Sequence, residues 1–117
     1  MSKKPIEQRV AEAIVKHSWR AGQAWSATEP QTEEERAENL LKDRKYGPYI
    51  VAGDPNEWSS GVAVATIYME PQGTKGDCEV PLDTYSDGFD VSCKASAELG
   101  DHYIEFINGG VAAVFPS

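Results

Sequence analysis

The C-terminal part of this chain has almost no positive charge. Residues 47–117 contain two lysines, Lys75 and Lys94, and no arginine, against eleven Asp and Glu. Residues 1–46 hold nine Lys/Arg against eight Asp/Glu, so the net charge of −8 arises beyond residue 46. A surface so short of cations lacks the groups that bind phosphate backbones, and it repels anionic membranes. Cysteine is scarce: Cys78 and Cys93 make neither a disulfide framework nor a metal-ligand spacing. Long apolar runs are missing, which excludes a membrane-spanning helix. The basic start Met1–Pro5 leads into a pattern broken by Glu7, Gln8, Arg9 and Glu12, unlike a signal peptide's apolar core, so the expected address is cytoplasmic. No Asn-x-Ser/Thr site and no internal repeat is present.

What is there suits one globular domain over residues 1–117, with 40% apolar and 26% charged residues. Residues 1–46 form the helical part. Ile6, Val10, Ile14, His17, Ala21 and Trp25 recur at helical spacing and predict one helix over 5–25, with Pro5 in its first turn. Val15 and Trp19 fall on its other side and require either a second covering layer or an exposed patch for a partner. Thr32-Glu33-Glu34-Glu35 reads as a capping box opening a second helix with Ala37, Leu40 and Leu41 on its apolar stripe, stopped by Gly47-Pro48. Early glutamates and the late Lys42, Arg44 and Lys45 match the helix dipole, so this charge run has a structural explanation and predicts no nucleic-acid site.

Residues 47–117 form the acidic β part. Tyr49–Ala52 predicts a short strand before the turn Gly53-Asp54-Pro55-Asn56. Residues 61–69 carry no charge and are apolar on both alternating faces, as in a central strand. Cys78–Leu82 reads as an edge strand because of Pro81. In 89–97, Phe89, Val91, Cys93, Ala95 and Ala97 alternate with Asp90, Ser92, Lys94 and Ser96, which predicts another strand. Residues 102–107 and 111–115 flank Asn108-Gly109, a type I′ hairpin signal. Helices first and strands afterwards predict an α+β domain: two N-terminal helices packed on a C-terminal antiparallel meander of about five or six strands. Ile104 and Phe106 belong on the inner face, with Phe89, Val91, Cys93 and Ala95. Asp90, Lys94, Tyr103 and Glu105 belong on the outer face, near Glu79, Glu98 and Asp101.

No constellation carries catalysis. Cys78 and Cys93 read as small buried apolar residues, and neither has a predictable cation beside it to lower its pKa. His17 reads as a core histidine in the apolar stripe. His102 follows Asp101 and could join a Cys–His arrangement, but no elbow or oxyanion signature accompanies it. Asp83-x-x-x-Asp87-Gly-x-Asp90 lacks calcium-loop spacing and reads as solvated turn residues. No catalytic, cofactor or metal residue is therefore assigned.

The charge pattern favours a basic protein or nucleoprotein surface as partner, without direct nucleic-acid or membrane contact, and is compatible with a homodimer. The expected contact residues are Trp19, Trp58 and Tyr103 as aromatic anchors, with Asp90, Glu105, Glu79 and Asp101 as acidic ones. The expected function is a small acidic inhibitory protein without catalysis of its own, of the phage anti-defence or toxin-immunity type. The alternative is a small enzyme or ligand-binding domain with a pocket between helices and sheet, using His17, His102 or Cys93.

Overall fold

A computed structural model describes residues 4–18, 21–22, 32–42, 48–53, 63–68, 86–108 and 111–117. In chain order they form α1 (Ile6–His17), α2 (Glu33–Lys42), β1 (Tyr49–Ala52), β2 (Ala65–Tyr68), α3 (Ser86–Leu99), β3 (His102–Asn108) and β4 (Val111–Pro116). The fold is α+β, but the order differs from helices followed by a meander. A helix lies between the second and third strands. The four-stranded antiparallel sheet runs β1-β2-β4-β3. The expected strand over Cys78–Leu82 lies outside the described residues, as do Trp19, Trp25, Trp58 and Glu79.

The α1 helix is buried around a wide arc. Val10, Ala11, Ala13, Ile14 and Val15 are all 3% exposed or less, because α1 packs against α2, α3 and β1 at once. Val15, which a one-sided helix does not require, is therefore part of the core. The helix stops well short of residue 25. Ser18 is extended at φ −143°, and its carbonyl and Oγ both accept the Ala21 amide at 3.3 Å. A serine that bonds the nearby backbone competes with helix continuation. Gly22 then adopts φ +73°, and a Cβ there would sit 2.2 Å from the Arg36 carbonyl oxygen. The turn's carbonyls are taken by α2: Arg36 Nη1 donates to Ser18 O at 3.1 Å and Asn39 Nδ2 to Gly22 O at 2.6 Å. So the chain turns because its backbone docks on the next helix.

The start of α2 follows its sequence signal. Thr32 Oγ1 accepts the Glu35 amide at 3.1 Å and donates to the Glu35 carboxylate at 3.3 Å. Ala37 and Leu40 are fully buried in the cluster that also holds Ile14 and Ile50, with Leu41 packed at its margin.

The segment 89–97 is helical, not extended. The buried positions Gly88, Val91, Ser92, Ala95 and Leu99 are spaced 3, 1, 3 and 4, which is one helix face and not one strand face. The alternation of Phe89 through Ala97 shares Val91 and Ala95 with that face by coincidence. Helix-favouring Lys94, Ala95, Ala97, Glu98 and Leu99 fill the second half. Gly100, at φ +76°, ends the helix with its amide on the Ser96 carbonyl at 3.1 Å. Two further expectations change with it. Cys93 is exposed on α3, not buried on a strand, and Asp87 and Gly88 lie in the helix, not in a turn.

The hairpin of β3 and β4 pairs antiparallel as Asn108-Gly109 suggests, from His102↔Pro116 to Asn108↔Val111, with an irregularity between Phe106 and Asn108. The β2 strand is central, flanked by β1 and β4, and Ala65, Thr66 and Ile67 are all buried. Ile50, Ala65, Ile67, Ala112, Val114 and Ile104 face the helices. The β3 strand is at the sheet's edge, where an unbonded amide would invite pairing. Ser96 Oγ on α3 accepts the Ile104 amide at 2.8 Å and donates to the Ser92 carbonyl at 2.8 Å. That side chain ties helix to edge strand.

Leu40→Ala should lower stability by about 2–4 kcal/mol, the usual loss for a fully buried leucine. Urea denaturation followed by circular dichroism measures it. Gly22→Ala combines a left-handed backbone with a collision against the Arg36 carbonyl. Its loss should reach about 1–3 kcal/mol or more, whereas Gly100→Ala, where a Cβ meets nothing, should lose less in the same experiment.

Candidate functional site

The sheet has a second face, away from the helices, and its residues follow from register. Thr66 pairs with Ala113, and Ala113 with Glu105; Tyr103 pairs with Phe115. Ala63, Ala113 and Phe115 form a small buried cluster separate from the main core. The Tyr103 ring lies 5.5 Å from the Phe115 ring at 31°. Phe115 is 4% exposed, yet Tyr103 is 41% exposed. An aromatic held on one side by a buried ring and open on the other is ordered before it meets anything, so binding through it orders little more.

Glu105 stands two residues along the same strand, on the same face. One of its carboxylate oxygens, Oε2, is inaccessible to solvent and has no hydrogen-bond partner. The hydroxyl in its row does not serve it, since Thr66 Oγ1 donates to the Gly53 carbonyl at 3.1 Å. A carboxylate oxygen removed from water without a donor is unfavourable. Tyr103 and Glu105 are thus brought together by the strand period.

The remaining acidic residues of the expected contact set are arranged differently. Asp90 sits on α3, on the helical side of the sheet, and pairs with Lys94 at 3.1 Å. It does not share a face with Glu105. Asp101 is held bidentately by Arg9, at 3.1 and 2.8 Å, while Arg9 also donates to the Leu99 carbonyl at 3.3 Å. His102 Nδ1 lies 2.9 Å from Asp101 Oδ1. The hydrogen bond from Arg9, then that from His102, holds the Asp101 carboxyl well below the usual carboxylate range. Nearby, Lys16 Nζ meets Glu98 at 2.5 Å, and His17 Nε2 lies 3.8 Å from the other Glu98 oxygen. Lys16 lowers the Glu98 pKa, and Glu98 raises that of Lys16. These contacts clamp the C-terminal end of α3 to α1. The signal for them was absent from local sequence, because Arg9 and Asp101 are 92 residues apart.

An open cleft of about 410 Å³ lies beside the clamp, between Arg9, Glu12 and Lys16 of α1, Glu33 and Glu34 of α2, and Glu98 of α3. It lies among helices, not between helices and sheet. Its cations are engaged: Lys4 meets Glu12 at 2.9 Å, and Arg9 and Lys16 are in the clamp. Cys93 faces solvent on α3, and His17 and His102 each meet a carboxylate, so no Cys–His arrangement forms with Cys93 among the described residues. No group of three His, Cys, Asp or Glu among them could hold a metal ion. No helix in the described residues is long and apolar enough to cross a membrane.

Because Asp101, Glu98 and Glu12 all titrate below their ordinary values in the folded state, they favour the fold above the ordinary carboxylate pKa of about 4. That contribution should be lost as pH falls from about 5 toward 2. Asp101→Asn removes the most strongly shifted group. Its stability should fall less steeply over that window than the native chain's, in urea titrations at several pH values. Equal slopes would mean that the Arg9 pair is not formed.

Comparison with protein-family models, with curated proteins and with solved structures found no match for this chain.

Proposed function

We propose that this chain is a small acidic protein-binding inhibitor that blocks a basic protein or nucleoprotein target and has no catalysis of its own. Such a target is a nuclease toxin, as for an immunity protein, or a nucleic-acid-handling defence complex, as for a phage anti-defence inhibitor, met in the cytoplasm. The observation that supports the reading is the pair on the sheet face away from the helices: exposed Tyr103, braced by Phe115, with Glu105 two residues along the same strand. An exposed aromatic anchor with a carboxylate on the same strand face suits an arginine or lysine side chain, which can lie over the ring and pair with the acid.

Charge supports it too. Among the described residues Lys4, Arg9, Lys16, Lys42 and Lys94 are each in an ion pair within the chain. Glu7, Glu33, Glu34 and Glu35 are in none, so among the described residues the excess charge that reaches solvent is negative. Among the described residues a partner's phosphates would find few free cations, whereas a basic surface would be steered in. Trp58 and Glu79 belong to the same proposal through sequence alone, and Trp19 likewise.

Immobilised protein should capture a basic protein from source lysate at low salt, with less retained as salt rises. Tyr103→Ala should weaken capture by about 30-fold, the loss of one aromatic anchor of about 2 kcal/mol. Glu105→Lys should slow association in surface plasmon resonance while the melting temperature stays near the native value. Undiminished binding by both variants would remove this face from the reading.

A further inference from the structure

The solvent side of α3 is unlike the rest of the surface. Phe89 is 57% exposed, the most exposed large apolar side chain described. It stacks on Phe106 at 6.3 Å and 50°, which fixes its ring without covering it. Phe89, Cys93 and Ala97 follow at four-residue spacing along one exposed stripe. Beside the stripe run Asp90 and Lys94, joined at 3.1 Å, and then Glu98, already neutralised by Lys16. Among the described side chains of this helix face, Asp90, Lys94, Glu98 and the Lys16 that pairs with Glu98 balance in charge.

We propose that the α3 face binds a second copy of this chain in an antiparallel two-fold pair centred on Cys93. The stripe is complementary to itself. With Cys93 on the axis, residue 89 of one copy lies opposite residue 97 of the other, so each Phe89 ring covers the other copy's Ala97. A large residue meets a small one twice. The charges match under the same operation. In an antiparallel helix pair like flanks meet, so Asp90 of each copy approaches Lys94 of the other. Two copies that repel elsewhere through their excess carboxylates meet here without that repulsion. The stripe and its Asp90–Lys94 flank are each complementary to themselves, which is why a second copy is the better occupant.

This inference is independent of the sheet-face reading. The α3 helix packs on the helical side of the sheet, so Tyr103 and Glu105 stay open in such a dimer. Sedimentation of the full chain from micromolar to millimolar concentration should show a monomer–dimer equilibrium. Phe89→Asp should shift it to monomer with unchanged far-ultraviolet dichroism. Two charge variants separate packing from pairing: Lys94→Asp and Asp90→Lys should each self-associate at least tenfold more weakly, and an equimolar mixture of the two should recover the dimer. In a Cys78→Ser background, a short bismaleimide should link Cys93 to Cys93 in the native dimer, and the linked product should vanish with Phe89→Asp. A chain that stays monomeric at millimolar concentration overturns the proposal, as does a dimer indifferent to these variants or a mixture that fails to recover it.

Discussion

The burial of α1 on three sides is the constraint on which the rest depends. Val10, Ala11, Ala13, Ile14 and Val15 are inaccessible within one and a half turns, and no single sheet or helix can cover so wide an arc. The chain meets this by placing α2, α3 and β1 around it. Alanines at 11 and 13 let those neighbours approach closely. Polar groups are then displaced to the rim of α1, where Arg9 and Lys16 reach the end of α3. Gly22 serves the same packing, because its backbone lies so near α2 that a Cβ there would sit 2.2 Å from the Arg36 carbonyl oxygen.

Folding also redistributes charge. Along the chain, the cations lie mostly before residue 47 and the excess acid after it. In space, Arg9 of the first part holds Asp101 of the second, and Lys16 holds Glu98. The strongly negative second part is therefore not a uniformly acidic face. Three of its described acids, Asp90, Glu98 and Asp101, are neutralised by intramolecular partners, while Glu7 and the glutamates opening α2 are in no ion pair among the described residues. Exposed pairs of this kind contribute little stability one by one. The bidentate Arg9 contact also bonds the Leu99 carbonyl, so it positions the helix end as well as pairing charge.

Two faces of different character result. The sheet face away from the helices offers a braced tyrosine, with the Glu105 carboxylate on the same strand face. The outer side of α3 offers a neutral apolar stripe. Their separation by the thickness of sheet and helix means that occupation of one leaves the other open. Both faces depend on β3, whose Phe106 supports Phe89 while its neighbouring odd-numbered residues supply Tyr103 and Glu105. The Ser96 bridge to the Ile104 amide fixes that strand against α3.

Several features were set by local sequence. The Thr32 cap, the β3–β4 hairpin around Asn108-Gly109 and the central position of the uncharged β2 run each follow from residues adjacent in the chain, because caps, tight turns and strand period act over a few residues. Tyr103 and Glu105 share a face for the same reason: a strand's period of two places them together. Tertiary structure decided the identity of 86–99. Its alternation of small apolar and polar residues fits a strand, and its 3–4 spacing through Val91, Ser92, Ala95 and Leu99 fits a helix; the choice rests on which face finds a core to enter. The end of α1 was also tertiary, since nothing in residues 18–22 alone reveals that a carbonyl of α2 will press against Gly22. Two of the charge pairs that turn the acidic half into a mixed surface, Arg9–Asp101 and Lys16–Glu98, join residues more than eighty positions apart, and such proximity exists only once α1 and α3 have packed.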